Sequence, residues 1–391
     1  MFEHLLAKRM SRLGTETAFE VFAKAKRLEA EGKDIVHLEI GEPDFDTPVN
    51  IRKAAASALE NGYTHYTPAA GLLSVRETIA NYVTKHKNVP TTAENVVVVP
   101  GGKPIMFYII LALIEAGDEV LYPNPGFPIY ESCINFAGGN AIPLPLLEKN
   151  DFRLDIDDLA SKITDRTKLI IINTPANPTG GVLTHEDIHR IADLVRGKDI
   201  IVMSDEIYDR IIYEGEPLSI ASLPGMKDQT VILDGFSKTY AMTGWRLGFG
   251  VMHPFLAEKV TKLMVNSNSC TAAFTQMAGA EALTGPQEEV IAMVAEFRAR
   301  RDIMVAGLNA IPGVTCREPK GAFYVFPNIS SFGKPAKEIA TYLLEEGGVA
   351  CLGGTAFGIY GEGHLRLSYA NSRENLHKAI ERIDKALRAL R

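Results

Sequence analysis

Six short runs, "NVVVV", "DEVLY", "KLIIIN", "DIIVMS", "TVIL" and "RLGFGVM", recur through residues 95–252, each nearly unbroken in apolar, mostly β-branched residues. A strand with one wet face alternates apolar and polar residues, so runs of this kind mark strands covered on both faces. Helical patterns such as "PIMFYIILALIEAG" and "HEDIHRIADLVRG" lie between them. Strand and helix in alternation predict a largely parallel sheet under two layers of helices, an α/β core. Past "SNSCTAAFTQMAGAEALTGPQEE" the pattern thins to a long charged helix, "VIAMVAEFRARRDIMVAGLNAI", then "GAFYVFPNI", "GHLRLSYA" and a closing amphipathic helix. That sparser α+β pattern predicts a smaller domain over 285–391, a large domain over 48–284, and an arm over 1–47. The arm ends in the turn-rich "GEPDFDTP" and is expected to pack on the smaller domain or on a partner subunit.

Composition excludes several function classes. With 391 residues, 46% of them hydrophobic, the chain can bury a large core, and its net charge of -7 offers no footprint for nucleic acid. No basic amphipathic helix suggests a membrane surface, and the longest apolar run, "IMFYIILALI", is too short to cross a bilayer. "MFEHLLAKRM" lacks the pattern of a secretory signal, so a soluble, cytoplasmic protein is expected. Cys133, Cys270, Cys316 and Cys351 show no CxxC spacing and are read as reduced and structural.

Ligands of open α/β sheets bind beyond the carboxyl ends of the strands, and polar residues gather there. After "VVVV" comes "PGGKP", with Pro104 at the expected start of a helix whose free N–H groups suit an anion such as a phosphate. Neither the P-loop spacing nor a GxGxxG turn after a strand is present, so nucleotide binding is disfavoured. After "LIII" comes "NTPANPTGG" with Asn177, after "IIVM" comes "SDEIY" with Asp205 and Tyr208, and after "TVIL" come Ser237, Lys238 and Arg246. A carboxylate to keep a ring nitrogen protonated, a phenol and an amide for a ring hydroxyl, Ser and Arg for a phosphate, and a lysine for a Schiff base converge on pyridoxal 5′-phosphate.

Read together and in order, "LEIGEPDFDTP", "THYTPAAG", "GGK", "NTPANPTGG", "SDEIY", "SKTYAMTGWRLGFG", "GAFYVFP" and "LRLSYA" resemble the class I/II aminotransferases of the fold-type I pyridoxal-phosphate group, in particular the branch with many bacterial aspartate aminotransferases. The resemblance implies a mostly parallel seven-stranded sheet in the large domain and an amino-transfer activity between an L-amino acid and a 2-oxo acid. It makes Lys238 the Schiff-base lysine, Asp205 the partner of the pyridinium, and Tyr208 with Asn177 the ligands of the ring hydroxyl. Gly102 and Lys103 by backbone, with Ser237 and Arg246 by side chain, become the phosphate cup. Phe127 takes the place of the ring-stacking aromatic, where many relatives have Trp. Tyr66 matches a tyrosine that reaches the cofactor phosphate of the neighbouring subunit, which implies a homodimer with shared sites. Arg366 matches the arginine that takes the substrate α-carboxylate, and Gly41 offers its backbone to the same group.

Two rival readings stand beside this one. A carbon–sulfur β-lyase of the same fold would use the same lysine, and "HEDIH", His185–Glu186–x–x–His189, fits the HExxH pattern of zinc peptidases. Context argues for a helix start instead: Thr184 and Asp187 form a capping pair, and Ile188, Ile191, Ala192 and Val195 form the buried stripe; no metal is expected. Side-chain selectivity turns on the arm. In the acid-specific branch, the lysine at the position of Lys103 reaches the distal carboxylate with help from small hydroxyl residues. An ungapped alignment of "SRLGTETAFEV" puts Glu16 and Ala18 there, whereas a slip of one residue puts Thr15 and Thr17 there, so aspartate and alanine-like donors both stay open.

Overall fold

The apolar runs pair into one sheet in the computed structural model, which describes residues 2–390. A short strand, β1 (Val36–His37), comes first in the chain. Then β2 (Val96–Val99), β3 (Glu119–Asn124), β4 (Asn140–Pro145), β5 (Thr167–Asn173), β6 (Ile201–Asp205), β7 (Thr230–Gly235) and β8 (Gly248–Val251) form a seven-stranded sheet in the order β2-β8-β7-β6-β5-β3-β4. Strands β3 to β7 pair in parallel, and β8 is antiparallel to both its neighbours. Val97, Val99, Met203, Val231 and Leu233 face one buried core and Val96, Val98 and Ile232 face another, so successive residues of a strand enter different layers. This two-sided burial is why the runs are unbroken.

Strand β4 is absent from the runs read in the sequence. Its "NAIPLP" carries two prolines, which cannot donate to a ladder, and it is tolerated because it pairs only with β3 at the margin of the sheet.

The remaining short strands are β9 (Tyr324–Val325), β10 (Val349–Ala350), β11 (Leu352–Gly353) and β12 (Leu365–Ser368). β1 pairs with β10, and β11-β12-β9 make a three-stranded antiparallel sheet. Val36 and Leu38 share one core with Phe297, Phe323, Val325, Leu367 and Ile383. The stretch just before "GEPDFDTP" is thereby set beside the strand that carries Arg366.

Helix His185–Val195 begins as a capped helix: the Thr184 hydroxyl accepts from the Asp187 N–H in a capping box, and Ile188, Ile191, Ala192 and Val195 are buried. His185 Nε2 lies 3.0 Å from the Glu216 carbonyl oxygen, and His189 is exposed. Among the described residues no group of three or more His, Cys, Asp or Glu side chains is arranged to hold a metal, and no helix is long and apolar enough to cross a membrane.

Candidate active site

In the parallel register Asn173 of β5 stands opposite Asp205 of β6, and Asp205 opposite Leu233 of β7. The strands therefore finish level, and the polar residues that follow them meet along one rim. Lys238 rises from the turn after β7. Its Nζ donates to the Gly41 carbonyl oxygen at 2.5 Å and sits 6.0 Å and 5.9 Å from the ring centroids of Tyr208 and Phe323. Burial among these rings disfavours the ammonium and pulls the amine down to about 8. A lysine at the end of a buried strand is thus a lysine readily stripped of its proton.

Asp205 is 7% exposed and accepts from the Tyr130 hydroxyl at 2.5 Å. Burial raises its carboxyl to about 6, against the hydrogen bond from Tyr130, so it is ionised at neutral pH. Asn173 ties the rim together by donating Nδ2 to the Asp205 carbonyl at 3.0 Å and accepting the Asn177 N–H at 2.9 Å. The Asn177 Oδ1 is buried with no protein partner. Tyr208, also buried, shares a hydrogen bond of 2.8 Å with the Tyr324 hydroxyl.

The phosphate-cup candidates gather at the start of helix Lys103–Leu113. Gly102 stands at its N-cap without a side-chain cap, and Pro104 lies in its first turn. Gly101, at φ 88°, brings the loop against Arg246: a Cβ there would lie 2.2 Å from the Arg246 Nη2. Gly248 is as constrained, since its Cβ would come within 2.7 Å of the Gly101–Gly102 backbone. Arg246 is further held by donating Nη1 to the Thr243 carbonyl at 2.8 Å, and Ser237 is buried between β7 and Lys238.

Arg366 of β12 is 3% exposed and lies 4.7 Å and 5.1 Å from the ring centroids of Tyr324 and Phe357. Its Nη2 donates to the Glu39 carbonyl, while its Nε is buried without a protein partner. Gly41 is confined by Tyr324, whose hydroxyl would be 2.2 Å from a Cβ. Lys103 Nζ lies 5.4 Å from the Phe127 ring centroid and contacts the Glu16 carboxylate. Glu16 precedes helix Thr17–Ala30 at the N-cap position, yet its side chain makes no cap bond. Of the arm residues named from the sequence, Glu16 is the one that reaches the Lys103 ammonium. Tyr66 stands apart from these groups, 90% exposed.

Several residues at this rim carry no local signal. Tyr130, 75 positions from Asp205, follows "YPNPGF" on its own helix, and Tyr324 stands out in the sequence only as part of "GAFYVFP". Glu206, the carboxylate next to Asp205, turns to the opposite face, where Lys87 Nζ lies 2.8 Å away. Alternation along the strand decides between the two carboxylates.

The model for aminotransferase class I and II matches residues 33–383. The aspartate aminotransferase of Pyrococcus horikoshii is 40% identical over 387 residues, covering 98% of each chain. The aromatic-amino-acid aminotransferase 2 of Thermococcus litoralis is 38% identical, again over 98% of both. The solved aspartate aminotransferase of Thermus thermophilus with maleate superposes with a TM-score of 0.93 at 36% identity, covering 97% of this chain and 99% of that one. The chain belongs to the class I and II aminotransferases, pyridoxal-phosphate-dependent enzymes of fold type I. The lyase and zinc-peptidase readings are not favoured.

The residues fit the cofactor. An amide oxygen buried without a partner needs a donor such as a ring hydroxyl, the Gly101–Arg246 cradle leaves backbone donors and a guanidinium for a phosphate, and a buried ionised Asp205 suits a protonated ring nitrogen. The buried Arg366 Nε, also without a protein partner, is a donor that suits a carboxylate.

Proposed function

We propose that this aminotransferase takes amino groups from neutral L-amino acids ahead of aspartate and passes them to 2-oxo acids such as 2-oxoglutarate in a ping-pong cycle. The contact between Lys103 and Glu16 carries the reading. A lysine free to meet a distal carboxylate would favour aspartate; here its charge is already answered, and a second carboxylate must displace Glu16 or lie beside it. The exposure of the Lys103 side chain, 48%, leaves room for such displacement, which admits 2-oxoglutarate at a cost. Relatives named for aspartate and for aromatic amino acids support a pocket whose acid selectivity rests on few groups.

Arg366 binds the α-carboxylate through its two-nitrogen fork and, with Gly41, fixes the direction of the Cα–H bond. Lys238 Nζ, its proton affinity lowered by burial, is the base that would take the proton from Cα and hold it for return. Asp205 keeps the ring nitrogen protonated, Tyr130 keeps Asp205 in place, and Asn177 with Tyr208 holds the ring hydroxyl. Phe127 covers the ring, and Gly102, Lys103, Ser237 and Arg246 hold the phosphate. Pyridoxal 5′-phosphate supplies the carbonyl that accepts the amino group and the electron sink for the charge left at Cα.

Replacing Glu16 with serine tests the substrate reading. The ratio of kcat/KM for aspartate to that for alanine is expected to rise by about fivefold, as removal of a repulsive charge worth about 1 kcal/mol in a partly solvated site predicts. An unchanged ratio would show that Glu16 does not govern the pocket.

The 90% exposure of Tyr66 supports a homodimer in which this tyrosine completes the partner's phosphate cup. Tyr66→Phe is expected to weaken cofactor retention. Mixed dimers of Tyr66→Phe and Lys238→Ala chains distinguish the arrangement: the site with an intact lysine should keep a wild-type cofactor affinity, because its tyrosine comes from the other chain. Weakened retention at that site would place the tyrosine within its own subunit.

A further inference from the structure

Two cations of the proposed mechanism rest on one short strip of backbone. Arg366 Nη2 donates to the carbonyl of Glu39, and Lys238 Nζ donates to the carbonyl of Gly41, two residues further on. Both carbonyls lie on the short segment just past β1, which bends at Glu39, so one strip of backbone acts as a common rail for the carboxylate-binding and proton-moving groups. Its other edge is pinned: Leu38 donates to the Ala350 carbonyl at 2.9 Å, Ser368 to the Leu38 carbonyl at 2.8 Å, and Asn371 Nδ2 to the His37 carbonyl at 3.0 Å.

The side chains on the strip are unexpected for a backbone rail. Glu39 is fully buried, with one carboxylate oxygen 2.7 Å from His37 Nδ1 and the other without a partner. A buried carboxylate so poorly supplied with donors is held there by charge. His37 supplies it, and its Nε2 lies 2.9 Å from Glu29 in helix Thr17–Ala30. That same helix is preceded at its N-cap by Glu16, the residue on Lys103. One helix therefore touches the side-chain subsite at its start and the rail near its end.

We propose that Glu39 and His37 are positioning residues of the transamination: His37, as an imidazolium bridging Glu29 and Glu39, fixes the rail on which Arg366 and Lys238 rest, and so couples docking of the arm helix to grip on the substrate α-carboxylate. The proposal rests on the assignment of Arg366 and Lys238 made above. The groups facing His37 are Glu39 beside it on the strip, Glu29 from the helix, Lys26 paired to Glu29 at 2.9 Å, and the Phe22 ring at 5.7 Å. Behind Glu39 stand Cys351 and Arg366. The bond to Glu39 first, then Glu29, raise the imidazole above its ordinary 6.5 against the opposing effect of burial. A raised value means that the bridge is complete below 6.5 and is lost as pH climbs through the value in the folded protein.

The test uses steady-state kinetics of the holoenzyme, with 2-oxoglutarate as the varied substrate because it carries no amine of its own to titrate. His37→Ala and Glu39→Gln are each expected to raise its KM about tenfold while changing kcat less than about threefold. His37→Lys, which keeps a cation, should recover a KM near that of the wild type. The ratio of wild-type to His37→Lys KM should then climb between neutral pH and about pH 9, as only the imidazole loses its charge. An unchanged KM in both His37→Ala and Glu39→Gln would overturn the proposal. So would equal losses in kcat and KM effects that His37→Lys does not rescue, since those mark a purely structural role. Arg366→Lys is the control for the underlying assignment: if it leaves KM unaltered, that assignment fails; if it raises KM while the other variants do not, only the rail fails.

Discussion

Lys238→Ala is expected to fold, to retain cofactor, and to lose turnover by at least about 10³-fold. Retention follows because Gly102, Ser237 and Arg246 are held independently of the lysine, Arg246 by Gly101 and by the Thr243 carbonyl. Loss follows because, among the described residues, the groups in contact with Nζ are the Gly41 carbonyl and the rings of Tyr208 and Phe323, while the Glu42 carboxylate acts on the amine only through its charge. Burial holds the Tyr208 hydroxyl well above the ordinary phenol range, so it cannot replace an amine near 8. Single-turnover rates on a desalted, cofactor-containing protein measure this, and a rate within tenfold of the wild type would remove Lys238 from the chemistry.

The second large effect lies behind the site. Lys87, just past helix Leu73–His86, sends its ammonium into a buried cluster with Glu206 at 2.8 Å, Asp234 at 3.0 Å and Asp209 in direct contact. Burial opposes its charge, yet Asp209, Asp234 and Glu206 together hold it well above its ordinary value. Burial raises Asp234 to about 8 despite the lysine. Lys87→Met would leave three carboxylates without their cation, and breaking a buried ion pair in this one-sided way costs about 3–5 kcal/mol. The sign of the pH dependence follows. A carboxyl raised in the folded state keeps its proton where the unfolded chain has lost it, so stability falls as pH rises from 3.8 towards about 8. Without Lys87 that fall should extend to higher pH. Urea unfolding of both proteins should show a gap that widens as the solution is made alkaline; equal midpoints above the Asp234 value would mean that water reaches the cluster.

What the sequence revealed of this site was whatever follows an apolar run. Asp205 closes β6, Asn177 and Lys238 stand a few residues beyond β5 and β7, and Arg246 comes just before β8; parallel register brings the first three together, and the antiparallel β7–β8 pairing brings Arg246 to the same end. Strand β4 stayed hidden because its prolines deny it the composition of a ladder strand. The pairs that tune the site were hidden for another reason. Tyr130 meets Asp205 across 75 residues, Lys87 meets Glu206 across 119, and Glu29 meets Glu39 only through His37. Periodicity and turn chemistry speak of neighbours in sequence, and these contacts are set by how the layers pack. The arm is an intermediate case: Lys103 and Glu16 are both visible in the sequence as candidates, and only the fold, bridging 87 residues, brings them into contact.

The adjacent acids at the end of β6 have a further consequence. Asp205 looks toward Tyr130 and Glu206 toward Lys87 because a strand turns successive residues to opposite faces. Loss or gain of one codon within Ile201–Asp205 would exchange their places, sending Glu206 to the Tyr130 side and Asp205 into the salt cluster. Substitutions along this strand can be absorbed by repacking, but a change in its length cannot. In a lineage of such chains the spacing from Ile201 to Tyr208 should therefore drift far less than the identities of the residues that fill it.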